Sequence, residues 1–233
     1  MASLQSTESR FADELLTILR ADKFRDPFFD AVRGGRMSRA GVKRWVLQAA
    51  LVVREFTRFI SAIHANCPHR DAQQLMAENL WEEHGRGHAE RDHYFLIRKL
   101  AKSLGATDAE IDSTPPLPEA VGYIDQCFKV TREGSFIDGM AAIGVGIEFY
   151  IPAFFGALAE MFCVHYGLTR EDVTYLFVHV GEDEDHARRA LELLEKYADT
   201  DDIQQRAKQA LREMLAAKQR FAEALYTHCS AAS

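Results

Sequence analysis

Apolar residues recur three and four positions apart along almost the whole chain, and no segment alternates as a half-buried strand does. The pattern predicts an all-α protein. Residues 9–21 read as a first amphipathic helix through Phe11, Leu15, Leu16, Ile18 and Leu19, and residues 25–32 as a short second one with Pro27 in its first turn. After Gly34 and Gly35, Ser38 caps a long helix to about residue 65, which Cys67 and Pro68 end. Residues 71–104 are the next helical stretch. Gly85 and Gly87 stand in its middle, each costing about 1 kcal/mol relative to Ala, so a break is expected there. Residues 118–132, 134–166, 169–198 and 201–228 follow, the third opened by a capping-box-like Thr169-Arg-Glu-Asp. The count is seven to eight helices, without an internal repeat.

The chain has 233 residues, which one helical domain can accommodate. The strongest linker candidate, residues 113–118 (Ser-Thr-Pro-Pro-Leu-Pro), is short and lies between helical patterns, so it reads as a loop inside a single domain. Net charge is -7 with both signs mixed along the helices, leaving no basic stripe for a nucleic acid. No apolar run is expected to reach the roughly 18 to 20 residues that span a bilayer, and the first residues lack a basic n-region. A cytoplasmic location is the expectation. Cys67, Cys127, Cys163 and Cys229 are widely spaced with no CxxC pair, and read as free thiols.

The sharpest chemical signal is His179-Val-Gly-Glu-Asp183-Glu-Asp-His186. At about 100° per residue, positions i, i+4 and i+7 fall within roughly 60° of one another, so His179, Asp183 and His186 share a helix face. A solvated charged segment is the alternative. Against it, Leu176, Phe177, Val180 and Ala190 continue an apolar stripe beside them, and burying these polar groups without a partner is costly. A metal resolves that cost, and nitrogen with carboxylate donors suits Fe or Mn. Glu148 is the one charged residue between Asp138 and Glu160, in an apolar run with two Gly before it and Pro152 after it. Upstream, Glu90 and His93 have the Glu-x-x-His spacing by which helical carboxylate proteins bind one metal. Glu83 with His93 competes, although about 15 Å of unbroken helix would separate them. The spacing leaves both open. Glu55 sits at the edge of an apolar face, where Arg54 or Arg58 can neutralise it. Phe149, Tyr150, Phe154, Phe155 and Phe177 are candidates for a dry pocket, and Arg54, Arg58 or Arg86 for pairing with a substrate carboxylate.

Taken together, Asp26-Pro-Phe-Phe, the segment from Glu55 to Cys67, Glu78-Asn-Leu-Trp-Glu-Glu83, Glu148-Phe-Tyr-Ile-Pro and His179-x3-Asp183-x2-His186 resemble the haem-oxygenase-like diiron oxidases. The superfamily shares its seven-helix fold with thiaminase-like and pyrroloquinoline-quinone synthase proteins. The resemblance covers nearly the whole chain. It implies a haem-oxygenase-like bundle and a ligand set of Glu83, His93, Glu148, His179, Asp183 and His186, favouring Glu83 over Glu90. Glu55 is placed to be the extra carboxylate of the members that hydroxylate amine nitrogen. The para-aminobenzoate-forming branch uses its own Tyr, where Phe29 stands here, and a Lys downstream of the Ile-Pro segment, where this chain has none before His179.

The resemblance further implies two Fe and O2 as cosubstrate, activated at irons bridged by Glu148 or Glu83 through a peroxo-diferric species. The substrate expected is a small amine or amino-acid-derived molecule of a biosynthetic pathway, undergoing N-oxygenation or oxidative C-C or C-N cleavage. An external electron donor and a homodimer belong to the same expectation. A metal-free cofactor-synthase-like oxidase and a helical binding protein on the same fold are the competing readings.

Overall fold

Ser38, in extended conformation after the turn at Gly34 and Gly35, starts the first long helix by accepting a hydrogen bond from the Gly41 amide at 3.0 Å, satisfying one of the amides that a helix start leaves bare. The computed structural model describes residues 11–22 and 25–231, without the side chains of residues 182–184. Among these the chain is helical without strands: α1 (Phe11–Ala21), α2 (Pro27–Arg33), α3 (Arg39–Asn66), α4 (Arg70–Glu83), α5 (His93–Ser103), α6 (Asp108–Ser113), α7 (Pro118–Arg132), α8 (Phe136–Met140), α9 (Ile151–Tyr166), α10 (Thr174–Tyr197) and α11 (Asp201–Ser230). The long α3 and α11 pack on each other and on α7, while α10 lies against α9, α5 and α1. Aromatic and aliphatic faces close two adjoining cores, one around Phe59, Ile143, Leu194 and Leu211, the other around Phe28, Trp45, Ile97 and Phe162. The fold is the all-α bundle expected.

Two of the predicted helices are interrupted, which raises the number of segments. The first break separates α4 from α5: Gly85, Arg86 and Gly87 all adopt positive φ, at 70°, 54° and 84°. Left-handed backbone costs an L-residue such as Arg86 about 1–2 kcal/mol and a glycine little. The three residues therefore turn the chain sharply, and a second short turn, Ala89–Arg91, leads into α5. The second break lies between α8 and α9, where a π-turn (Ala141–Val145) is followed by a tighter 3-10 turn (Glu148–Tyr150). Such irregular winding is frequent at functional sites. Gly144 lets this turn approach α10, since a Cβ there would stand 2.8 Å from that of Ala190.

The run Phe136–Tyr166 contains a stretch long and apolar enough to cross a bilayer, contrary to the expectation that none exists. Its burial explains the composition. α10 and α11 pack on this segment, and the faces it turns to them are apolar. The reciprocal Thr169 and Asp172 bonds expected of a capping box are present, at 2.8 and 3.2 Å, but they close a turn ahead of α10, which begins at Thr174. Between α6 and α7 the proline-rich loop is tied to α3 by buried Gln48, which donates to the Pro115 carbonyl and accepts from the Leu117 amide.

Candidate metal centre

Three of the expected ligands converge from three elements. Glu83 closes α4, His93 opens α5 and His179 stands in the middle of α10, with one donor atom of each within 4.8 Å of the others. All three are buried, at 3 to 7% exposure. The break at Gly85–Gly87 is what permits this, because it folds α5 back so that residues ten apart in sequence meet: His93 Nδ1 lies 2.9 Å from Glu83 Oε2. Asp92 fixes the start of α5 by accepting from the Tyr94 and Phe95 amides at 3.0 and 3.2 Å, and its other oxygen meets His84 Nδ1 at 3.1 Å across the break. Glu90, the competitor, is exposed in the connecting turn beside His88.

His179 Nδ1 is 2.7 Å from the Tyr175 carbonyl. A carbonyl can only accept, so Nδ1 carries the proton and Nε2 keeps its lone pair, the arrangement by which proteins orient metal-binding imidazoles. The His93 and His179 rings stand 4.4 Å apart, and Phe155 and Tyr175 pack against His179. A buried carboxylate and two imidazoles converging on one point match the donor chemistry of a first-row metal, which fits the ion to these residues.

Glu148 is also buried, on the irregular turn between α8 and α9. It lines two cavities, one shared with Glu83 and His179, the other with Asn79 and His186. Asn79 points its amide at Glu148 Oε1 at 3.5 Å, a role for the Asn of Asn-Leu-x-x-Glu that the sequence pattern does not disclose. His186, about two turns along α10 from His179, is buried with Nε2 at 2.7 Å from Glu82 Oε2. The Asp183 side chain lies outside the described residues. Glu148 thus shares one cavity wall with Glu83 and His179 and another with His186.

Glu55 is placed differently. Its carboxylate takes Arg54 Nε at 3.2 Å and Arg58 Nη1 at closer range, so two guanidinium groups satisfy it, and it lines neither cavity. Replacing Glu55 with Ala is expected to leave the bound iron per chain unchanged, read by elemental analysis of reconstituted protein. Surface pairs of this kind contribute at most about 1 kcal/mol.

The first of these cavities, about 170 Å³, is walled by Trp45, Val52, Phe56, Tyr123, Phe155 and Tyr175 together with the polar residues above. The sequence-expected pocket residues Phe149, Tyr150, Phe154, Phe177 and Arg54 do not line it. The change of winding at Glu148–Tyr150 rephases the helix that follows, so Ile151 and Phe155 face inward, while Phe154 packs on Phe29 at 5.2 Å and the Tyr150 hydroxyl donates to the Leu19 carbonyl. Phe177 lies under the Arg170 guanidinium, and Arg54 is occupied by Glu55. The cavity also holds Asp26, which opens the Asp26-Pro-Phe-Phe segment, and Lys218, which no motif contains. The signal was available: Lys218 falls on the apolar stripe of α11 formed by Met214, Leu215, Phe221, Ala222 and Leu225. All four cysteines are free, and burial pushes the Cys127 thiol far up and that of Cys229 to about 12, away from the reactive thiolate.

Comparisons with known proteins agree with the fold. The 4-aminobenzoate synthase of Nitrosomonas europaea is 28% identical over 211 residues, covering 86% of this chain and 81% of that protein. The 4-aminobenzoate synthase of Chlamydia muridarum is 22% identical, covering 97% and 96%. Among solved structures, a TenA homologue from Pseudomonas syringae superposes with a TM-score of 0.80 at 16% identity, covering 97% of this chain and 98% of that one. A CADD-like protein of unknown function from Nostoc punctiforme gives 0.76 at 18% identity, covering 95% and 97%. These likenesses show the fold. The family model for iron-containing redox enzymes matches residues 43–219, from α3 into α11, and the chain belongs to that haem-oxygenase-like family of oxidoreductases.

Proposed function

We propose that the protein is an O2-dependent diiron oxidase or oxygenase acting on a small amine or amino-acid-derived substrate. The observation that carries this reading is the buried Glu83, His93, His179 cluster on the wall of an apolar cavity, with Glu148 leading from it toward His186. Glu83, His93 and His179 would hold one iron, and Asp183 and His186 the other, with Glu148 or Glu83 shared. Bound iron would supply the redox change and the place at which O2 is reduced.

The chain's own residues supply the setting. The Tyr175 carbonyl keeps the proton of His179 on Nδ1 and its ring in register. Asn79 holds a Glu148 oxygen. Phe155 and Tyr175 pack on the His179 ring and give that side of the cluster apolar walls, which would limit the access of water to O2 chemistry at bound iron. The name 4-aminobenzoate synthase, carried by the relatives, supports small aromatic amine chemistry. This chain has Phe29 where the para-aminobenzoate-forming branch is expected to use Tyr, and Phe29 packs on Phe154 outside the cavity. The departure supports a reaction that does not use a Tyr at this position.

Anaerobic titration with Fe(II) is the test: two equivalents per chain are expected, with O2 uptake that a chelator abolishes. One equivalent would leave a mononuclear enzyme. O2 uptake indifferent to chelation would instead favour the metal-free oxidase.

A further inference from the structure

A charged pair shares the cavity with the metal cluster. Lys218 is the one lysine or arginine among the lining residues, and Asp26 faces the same space. Both are half-buried, and taking a charge even partly out of water is unfavourable unless its surroundings compensate. The Lys218 Nζ has the Gly146 carbonyl at a long 3.5 Å and the face of the Tyr150 ring at 5.1 Å, with Asp22 and Asp26 acting on it at charge range. Burial pushes its pKa down to about 8, against the pull of those two carboxylates, so it remains a cation at neutral pH. Asp26 is fixed as the N-cap of α2, accepting from the Phe29 amide at 3.0 Å through one oxygen. Around this pair the wall is rich in rings, with Trp45, Phe56, Tyr123, Phe155, Tyr175 and Phe221.

We infer that Asp26 and Lys218 form a head-group subsite for an aromatic α-amino acid, Lys218 taking its carboxylate and Asp26 its ammonium. The inference rests on reading this cavity as the substrate cavity of the proposed oxidase. A cation and an anion on the wall of one apolar space complement both ends of a zwitterion, whereas a molecule with only one of the two charges is met by only one of them. The aromatic wall then takes the side chain. Positive design for the zwitterion is also selection against neutral and singly charged analogues.

The test is calorimetric binding of L-phenylalanine, phenethylamine and 3-phenylpropionate to the iron-loaded protein under argon, a series that differs only in its charged groups. The amino acid is expected to bind at least about tenfold tighter than either analogue, a margin of ~1.4 kcal/mol. Lys218→Met weakens the amino acid and 3-phenylpropionate about tenfold and leaves phenethylamine unchanged. Asp26→Asn, which keeps the helix cap, weakens the amino acid and phenethylamine and leaves 3-phenylpropionate unchanged. The double variant removes both charges together, and it carries the test if Lys218→Met alone does not fold; it binds all three probes alike. Equal affinities in the natural protein, no binding, or a uniform loss in either single variant overturns the subsite. Because binding is read without O2, tight and selective binding by a protein that shows no iron-dependent O2 uptake would contradict the oxidase reading and spare the subsite.

Discussion

Replacing His179 with alanine is expected to cost the protein at least about a hundredfold in iron affinity at the Glu83 and His93 cluster, with O2 uptake falling in proportion. The magnitude follows from what is removed. Changing a group that only orients a ligand typically costs 10- to 100-fold, and His179 is a donor in the cluster itself, held by its own backbone bond to Tyr175. The loss should occur without loss of fold, since the ring occupies a polar position beside a cavity, and a smaller side chain there empties space that water can fill. Equilibrium dialysis with Fe(II) and a thermal melt of the metal-free variant would read the two quantities separately. Unchanged affinity would remove His179 from the centre.

The second large effect is expected at a residue that binds nothing. Gly85 is buried at φ 70°, and a Cβ there would lie 2.5 Å from the Asp92 amide nitrogen and 2.6 Å from the Arg91 carbonyl carbon, both backbone atoms that cannot swing aside. Gly85→Ala therefore combines about 1–2 kcal/mol of left-handed strain with a forced shift of the segment that leads into His93. The expected result is a loss of about 2 kcal/mol or more in stability and about tenfold or more in iron affinity, although every donor is intact. Denaturant unfolding and Fe(II) dialysis check it. A variant as stable as the natural protein, with full affinity, would mean that the break is not what brings Glu83 to His93.

That pair also shows how far the sequence could be read. The periodic apolar pattern is enough for an all-helical chain and for His179 and His186 on one helix face, because both depend only on the regular winding of α10. Spacing could not choose between Glu83 and Glu90 as the partner of His93. The choice is made by three successive left-handed residues, and the two glycines announce a break without giving its direction. The same limit explains the pocket. Of the aromatic candidates Phe149, Tyr150, Phe154, Phe155 and Phe177, only Phe155 lines the cavity, because the π-turn and the 3-10 turn around Glu148 reset the helical phase and bring Ile151 and Phe155 inward. Glu55 was ambiguous for another reason, since an acid between two arginines can face metal or be neutralised, and only the side-chain geometry separates the cases. Lys218 was hidden by the many charges of α11, although its position on the buried stripe distinguishes it from them.

On this account, Glu83, His93, Glu148 and His179 hold iron that reacts with O2. Rapid mixing of the Fe(II)-loaded protein with O2, followed by visible absorption, tests it most directly. A transient band that forms in the natural protein, scales with bound iron and is lost in the His179→Ala variant is the predicted result. Absence of any transient with every amine and amino acid tried, or a transient identical in the variant, would contradict it.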